Sequence, residues 1–232
     1  MSTTFAEIPQ LRVWDEHELD HRDMATRKIV ETVRTALTTT NRAWTFRRIE
    51  APTLSPRDLL SAEYTDDDLW ATRVFHADRE MVLRAETTAS TYDFVRTAFP
   101  AKALRPPACF WQAAKSFRRE KQARASRLRF FEFTQLELQC LFTRDSKADY
   151  RAAVMPELER TLSWLCNAES RVVPSDRLPS YSESTLDVEV RHLDAWREVA
   201  SVSLRNDFRD DILNLEVAVG LDRVVDIFHT RD

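Results

Sequence analysis

The chain has 232 residues and a net charge of −4, with 43% hydrophobic and 31% charged residues. This length and balance predict a globular protein with a substantial core, and they exclude a uniformly basic nucleic-acid binder, although they still allow a local basic patch. The N-terminus lacks the apolar region of a signal peptide, and no apolar run is long enough to span a bilayer. We therefore expect a cytoplasmic protein without membrane segments.

The cysteines and histidines do not form a recognisable framework in the sequence. The three cysteines are far apart, and the five histidines show no metal-ligand spacing. His17 and His21 are four residues apart in a charged run, which is more typical of a solvated helix face than of a site. We therefore expect reduced thiols and no zinc centre.

The apolar periodicity predicts a mixture of helices and strands. In the first half we expect a helix over 24–38 capped near Asp23, a strand within 42–54 that ends at Pro52, a short helix and acidic loop over 56–70, a strand up to Arg84, and a helix capped by Thr87 that runs to about Phe99. In the second half we expect two long strands over 108–142, a helix over 148–168 in which Pro156 breaks the helix or starts a turn, a loop over 171–185, strands over 185–192, 196–204 and 216–221, and a helix over 222–230. The predicted fold class is α+β, a single domain with an antiparallel sheet flanked by helices.

The hairpin over 110–142 carries the strongest chemical signal. Strand alternation puts one apolar set on one face: Phe130, Leu136, Leu138, Cys140 and Phe142. The other face receives Arg118 and Glu120 from the first strand, and Arg129, Phe131, Phe133, Gln135, Glu137 and Gln139 from the second. Arginines beside aromatic rings and carboxylates suit a nucleotide, because arginine pairs with phosphate and a ring stacks on a base. The pattern alone also fits a polar sheet face held by ion pairs.

Two segments of this hairpin resemble motif 2 of the class II aminoacyl-tRNA synthetases. These are "FRRE", residues 117–120, and "RFFEF", residues 129–133, and the following "EFTQLELQ" is similar to the glycyl branch of that family. "FRRIEAPTL" within 42–54 resembles motif 1, "LRAETTAS" resembles the glycyl-type amino-acid loop, and "EVAVGLDRVVDIF" within 214–229 resembles motif 3. "WREVASVSLRNDF" is similar to a further glycyl-type strand. The five motifs occur in the family's order over roughly residues 25–232.

The resemblance implies an ATP site with magnesium. Arg118 would contact the α-phosphate of ATP and the amino-acid carboxylate, and together with Arg223 it would be the catalytic residue of the site. Arg129 and Arg223 would hold the β- and γ-phosphates. Glu120 would accept the adenine amino group and Phe133 would stack under the ring. Glu216 would be a Mg²⁺ ligand. From the residues alone, Arg223 also fits an ion-paired cap of a surface helix.

The resemblance also implies an amino-acid pocket. Glu86 and Glu137 would bind the substrate ammonium group, and Arg84 and Glu198 would be further contacts of the amino acid. Glu137 also fits a solvated strand residue, and Arg84 also fits a structural partner of Glu86. Ala218 falls where the glycyl family has a serine that reads the substrate.

Several positions depart from the family pattern on the amino-acid side. Its glycine falls at Ser201, the polar residue before its arginine falls at Leu204, and its "R-P-E" proline falls at Ala85. The one glycine of this chain, Gly220, matches the motif 3 glycine, where a side chain would crowd ATP and the backbone approaches a ligand closely. The sequence therefore predicts a retained nucleotide site and an altered amino-acid pocket.

The resemblance implies an ATP-dependent enzyme that forms an aminoacyl-adenylate from glycine or a similar small amino acid. Motif 1 implies a homodimer. No anticodon-binding domain is expected, because the chain ends directly after motif 3. The acceptor would be a tRNA or a carrier protein, contacted by Lys121, Arg124 and Arg127 in the motif 2 loop, although a basic turn is also typical of a solvated hairpin tip. The alternative is a non-catalytic relative that binds nucleic acid or a protein.

Overall fold

The computed structural model describes residues 8, 10–60, 74–99, 103–119, 128–176 and 182–230. Its helices are α1 (Glu16–Thr40), α2 (Thr88–Ala98), α3 (Tyr150–Cys166) and α4 (Leu221–His229), with a 3₁₀ turn at Arg57–Leu60. Its strands are β1 (Thr45–Arg48), β2 (Leu54–Pro56), β3 (Phe75–His76), β4 (Met81–Leu83), β5 (Ala108–Phe117), β6 (Glu132–Thr143), β7 (Ser170–Pro174), β8 (Ser182–His192), β9 (Ala195–Arg209) and β10 (Ile212–Gly220). Within these ranges no helix combines the length and the apolarity needed to cross a bilayer.

A large sheet organises the described chain. Its strand order is β1-β5-β6-β10-β9-β8-β7, and a smaller sheet has the order β2-β4-β3. Every neighbouring pair in the large sheet is antiparallel except β1 and β5, which run parallel. The predicted α+β class with an antiparallel-rich sheet and flanking helices is therefore confirmed.

Helix α1 begins earlier than the predicted start near Asp23. Asp15 accepts a hydrogen bond from the Glu18 backbone, and the Glu18 side chain accepts one from the Asp15 backbone, which completes a capping box. The helix then buries one apolar stripe, which includes Ile29, Val33 and Leu37. The predicted helix was too short because the first turns of α1 are charged, and the apolar stripe can be recognised only after them.

The β5–β6 hairpin confirms the predicted division of β6 into two faces. Leu136, Leu138 and Cys140 belong to the main core, together with apolar side chains of α1, α3 and α4. Gln135 and Glu137, on the opposite face, are buried as well. This hairpin therefore separates a helix-covered apolar core from a polar face.

Two local predictions in the second half of the chain were wrong. Pro156 lies within the continuous helix α3 and does not break it. The range 171–185, expected to be a loop, contains most of β7 and the start of β8. β7 escaped prediction because it is a short edge strand with little burial, so it lacks a clear apolar alternation.

The N-terminus of α2 is built by two neighbouring side chains. Thr87 occupies the predicted cap position, but its side chain makes no capping hydrogen bond. The Glu86 carboxylate accepts hydrogen bonds from the backbone N–H groups of Thr88 and Ala89 instead. This arrangement leaves the Thr87 hydroxyl available to bind Glu137 Oε2 at 2.5 Å, and it ties α2 to the polar face of the sheet.

Candidate functional site

A cavity of about 210 Å³ opens over the polar face of the large sheet. Strands β6, β9 and β10 supply most of its lining, and the rest comes from the start of α2, the first turn of α4, Arg118 after β5 and residues 128–130 before β6. We refer to it as the central cavity. The adjacent sheet face is built from rows of opposed side chains, because directly paired residues of neighbouring strands lie on the same face.

Three glutamates meet in this region, from three separate segments of the chain. Glu86 precedes α2, Glu137 lies on β6 and Glu216 lies on β10, and all three are buried. The Thr88 hydroxyl lies 2.6 Å from Glu216 Oε2 and 3.1 Å from Glu137 Oε2, so it connects two of the carboxylates. Gln139 Nε2 donates to Glu216 Oε2 at 3.0 Å. These three glutamates form the floor of the central cavity, and we refer to them as the carboxylate cluster.

Burial dominates the electrostatics of these carboxylates. Burial, together with the neighbouring charges of Glu216 and Glu86, raises the pKa of Glu137 to about 8. Burial likewise raises the pKa of Glu86, which the α2 backbone N–H groups partly oppose. A cation placed on this cluster would favour the ionised carboxylates, so the floor is suited to an ammonium group.

Arg205 supplies the positive charge of the floor, and the sequence reasoning did not include it among the site residues. Its side chain is 2% exposed, and Nη1 donates to Glu216 Oε2 at 2.9 Å. Asp207 pairs with its other side at 2.5 Å, and the Tyr92 ring lies 5.5 Å from its guanidinium carbon. Arg205 falls on the arginine of the glycyl-type strand pattern, so that resemblance contained the signal that could have identified it.

The opposite wall of the central cavity combines arginines with an aromatic ring. The Arg118 guanidinium carbon lies 5.2 Å from the centre of the Phe133 ring, and Nε donates to the Ala85 carbonyl at 2.9 Å. Arg129, which is exposed, lines the same wall. A fixed guanidinium near an aromatic ring suits a phosphate beside a stacked base.

Arg223 enters the cavity from the first turn of α4. Nε donates to the Leu128 carbonyl at 3.1 Å and Nη1 donates to the Glu198 carbonyl at 2.8 Å. The Glu198 carboxylate lies 3.7 Å from the same guanidinium. Two backbone anchors therefore fix the direction of Arg223 and join α4 to β9.

A buried carboxylate beside Arg223 anchors α4 to the rest of the site. Asp222 accepts a hydrogen bond from the Thr134 backbone N–H at 2.8 Å and another from Arg22 Nη1 at 3.2 Å. Burial raises the pKa of Asp222, and both contacts oppose that rise. Helix α1, strand β6 and helix α4 are connected through this one carboxylate.

Gly220 precedes α4, as expected, but its backbone does not require glycine. Its φ is −75°, and an added Cβ would approach Arg223 Cδ at 3.5 Å, which is ordinary van der Waals contact. The protein alone would therefore accept a side chain here, and the expected crowding of ATP stays a prediction.

Nine of the ten predicted site residues in the described ranges line the central cavity: Glu86, Arg118, Arg129, Phe133, Glu137, Glu198, Glu216, Ala218 and Arg223. Four others lie outside the described residues: Glu120, Lys121, Arg124 and Arg127. The roles assigned to all of them stay predictions.

Arg84 is the predicted site residue that does not line the cavity. Its guanidinium donates to the carbonyls of Ala51 at 2.6 Å, Pro52 at 3.0 Å and Lys115 at 2.8 Å. It is 3% exposed. These contacts favour a structural role, although the partners are backbone carbonyls and not the expected Glu86.

Two aromatic residues before β6 exchange their expected places. Phe130, assigned to the apolar face, lines the central cavity and contacts the Trp14 ring at 5.9 Å between centroids. Phe131, assigned to the polar face, packs against Phe75 at 5.6 Å instead. The alternation fails here because β6 begins only at Glu132 and Leu128 has a positive φ of 54°.

The residues present do not form a magnesium site by themselves. Glu216 Oε2 already has contacts with Arg205, Thr88 and Gln139, and the Glu198 carboxylate faces Arg223. Among the described residues, no group of three or more His, Cys, Asp and Glu side chains is arranged to hold a metal ion. A Mg²⁺ ion would have to compete with these contacts of Glu216, and the expected role of Glu216 as a Mg²⁺ ligand stays a prediction.

The fold is similar to that of class II aminoacyl-tRNA synthetases of known structure. The sequence matches no family model and no curated protein. Among solved structures, the chain is similar to the pyrrolysyl-tRNA synthetase of Desulfitobacterium hafniense, with 20% identity, a TM-score of 0.61, and coverage of 86% of this chain and 68% of that one. It is also similar to the SerRS of M. kandleri in complex with A. aeolicus tRNASec, with 15% identity, a TM-score of 0.63, and coverage of 88% of this chain and 51% of that one.

Proposed function

We propose that this protein activates a small amino acid with ATP to form an aminoacyl-adenylate. The observation that carries the proposal is the meeting of two chemistries in the central cavity. Arg118, Phe133 and Arg223 suit a nucleotide phosphate and base, while Glu86 and Glu137 suit an ammonium group. The class II synthetase-like fold supports the same reaction class.

On the nucleotide side, the arginines would bind the phosphates of ATP. Arg118 would contact the α-phosphate and the substrate carboxylate, and its bond to the Ala85 carbonyl would fix its orientation. Arg129 and Arg223 would contact the β- and γ-phosphates. Phe133 would stack on adenine, and Glu120 would accept the adenine amino group.

On the amino-acid side, Glu86 and Glu137 would bind the ammonium group of the substrate. Arg205 holds Glu216 in the floor, so it would position the cluster. Ala218 would lie under the substrate, and Glu198 would lie beside it. Each of these residues lines the cavity. Arg84 does not, and it would support the pocket through the backbone carbonyls that it binds.

The proposed reaction requires positioning and charge stabilisation more than proton transfer. A carboxylate oxygen of the amino acid attacks the α-phosphorus, a new P–O bond forms, and the bond to the bridging oxygen breaks. The electron pair leaves with pyrophosphate. Arg118 and Arg223 would stabilise the charge that develops on the phosphoryl oxygens. If magnesium accompanies ATP, it would help to neutralise the phosphates.

The acyl group would then pass to a tRNA or to a carrier protein. The loop that would contact this acceptor, with Lys121, Arg124 and Arg127, lies outside the described residues. We also propose a homodimer, in which the region of β1 that resembles motif 1 forms part of the interface.

Amino-acid-dependent ATP–pyrophosphate exchange across the twenty standard amino acids tests the proposal. We expect exchange with at least one small amino acid and at least a hundredfold loss in Arg118→Ala, because Arg118 would act on the transition state. Arg119→Ala is a matched control: Arg119 is the next residue, it is exposed, and it lies over the Phe75 ring at 5.7 Å outside the cavity. Its loss should leave exchange unchanged.

Two results would contradict the proposal. A folded protein that supports no exchange with any amino acid would favour the non-catalytic alternative, a scaffold that binds nucleic acid or a protein. Equal activity in Arg118→Ala and the wild type would show that the chemistry occurs elsewhere. Charging assays with bulk tRNA and with carrier protein then separate the two acceptors.

A further inference from the structure

A row of four side chains crosses the polar face of the sheet beside the carboxylate cluster. Glu137 on β6 lies opposite Ala218 on β10, Ala218 lies opposite Ser201 on β9, and Ser201 lies opposite Asp187 on β8. Opposed residues share a face, with Cβ atoms about 4.5–5.5 Å apart. The row therefore leads from a buried carboxylate, across a methyl group, to a hydroxyl and a second carboxylate.

The next row along the strands is different because its polar groups bind one another. Gln139 Nε2 donates to Glu216 Oε2 at 3.0 Å, and the hydroxyls of Ser203 and Thr185 lie 2.9 Å apart. The Ser201 hydroxyl has no protein partner within the described ranges, and Ser201 lines the central cavity. A half-buried hydroxyl that faces a cavity without a partner is available to a ligand.

We propose that Ser201 determines specificity for the substrate, and that the pocket takes a small amino acid with a hydroxyl or amine on its β-carbon. This inference rests on the proposed function. With its ammonium group on Glu137, the substrate extends across the Ala218 methyl group towards Ser201. Neighbouring strands are about 4.8 Å apart. A side chain of two heavy atoms followed by one hydrogen bond therefore spans the distance from Ala218 on β10 to Ser201 on β9.

The charges around the row favour a donor over an acceptor. Asp187 follows Ser201 in the row, and burial raises the pKa of Asp187 to about 6. Glu198 lines the cavity on the same strand as Ser201. An acidic side chain would meet like charges, whereas a hydroxyl or an amine donates to Ser201 and its surroundings.

The size of the cavity limits the side chain. The central cavity measures about 210 Å³, whereas pockets for drug-sized ligands measure about 300–1,000 Å³. The cavity must also accommodate part of ATP under the proposed function. Serine and 2,3-diaminopropionate satisfy the limits on size and on hydrogen bonding, glycine and alanine satisfy only the limit on size, and aromatic amino acids exceed it.

Pyrophosphate exchange with glycine, alanine, serine and 2,3-diaminopropionate tests the inference. We expect kcat/KM to be higher for serine or 2,3-diaminopropionate than for alanine. In Ser201→Ala the ratio of kcat/KM for serine or 2,3-diaminopropionate to kcat/KM for alanine should fall about 3- to 10-fold, the effect of one hydrogen bond. Exchange with alanine should persist. Ser203→Ala is the matched control, because Ser203 lies two residues along the same strand and binds Thr185 instead of facing the cavity.

The outcomes separate this inference from the proposed function. A wild-type preference for glycine or alanine, or a ratio that survives Ser201→Ala, overturns the role of Ser201 and leaves adenylate formation standing. A fall in the ratio in Ser203→Ala equal to that in Ser201→Ala overturns it too, since the effect would then be one of strand packing. No exchange with any amino acid overturns the proposed function and this inference with it.

Discussion

Replacement of Glu137 by glutamine should change how the stability of this protein depends on pH. Glu137 is 5% exposed and lies with two further glutamates, and its pKa is raised from 4.5 to about 8. Below about pH 4.5 both the folded and the unfolded chain hold this proton. As the pH rises towards 8, the unfolded chain ionises Glu137 while the folded chain keeps it protonated, so the free energy of unfolding falls.

The magnitude follows from the size of that shift. Each pH unit is worth about 1.4 kcal/mol, so the interval from 4.5 to about 8 corresponds to at most about 5 kcal/mol for Glu137. Coupling to Glu86 and Glu216 spreads the loss over several groups. The glutamine removes the ionisation, and the amide of Gln135, which donates to Glu137 Oε1, can rotate to present its oxygen instead.

Urea denaturation at intervals from pH 5 to pH 8 measures the effect. We expect the free energy of unfolding to decline less steeply in Glu137→Gln than in the wild type, and the variant to be the more stable protein at pH 8. Glu132→Gln is the control, because Glu132 lies on the same strand but its side chain is 37% exposed and pairs with Lys115. Parallel curves for the wild type and Glu137→Gln would refute the reasoning, since they would show that Glu137 titrates alike in both states.

Three further predictions concern buried groups. Arg205→Leu leaves Glu216 without its buried partner, so we expect a loss of about 3–5 kcal/mol in urea denaturation; an unchanged midpoint would show that the pair is not formed. Arg84→Met leaves three backbone carbonyls without their donor, so it should cost about 3 kcal/mol, and wild-type stability would argue against a structural role. Burial raises the pKa of the Cys109 thiol, so Cys109 and Cys140 should react with a thiol reagent only in urea; rapid labelling of the native protein at pH 8 would contradict this burial.

The face pattern of β6 shows how far the sequence could predict the site. Side chains alternate strictly along a strand. Once this segment was a strand, Glu137 and Gln139 therefore had to lie on one face of the sheet, and Leu136 and Leu138 on the other. The same rule failed at Phe130 and Phe131, because the left-handed conformation of Leu128 and the later start of β6 break the alternation. Local irregularities of this kind depend on the contacts of the surrounding segments.

The cluster in the floor was accessible to sequence reasoning only through the resemblance. Nothing in the spacing of Glu86, Glu137 and Glu216 along the chain brings them together. Arg205 was missed because a single arginine in a strand is usually exposed, and its burial depends on a pair with Glu216 from the neighbouring strand β10. Ser201 was noted only as a departure from the family pattern.

The sequence by itself determined the α+β class and the two faces of the β5–β6 hairpin, which depend on local periodicity and on residue types that a short segment carries within itself. The resemblance of short motifs added nine of the residues that line the central cavity. Only the tertiary structure decided that Arg84 supports the backbone, that Arg205 joins the carboxylate cluster, and that Ser201 lies in one row with Glu137. Those facts depend on strand register and burial, which arise when distant segments pack together.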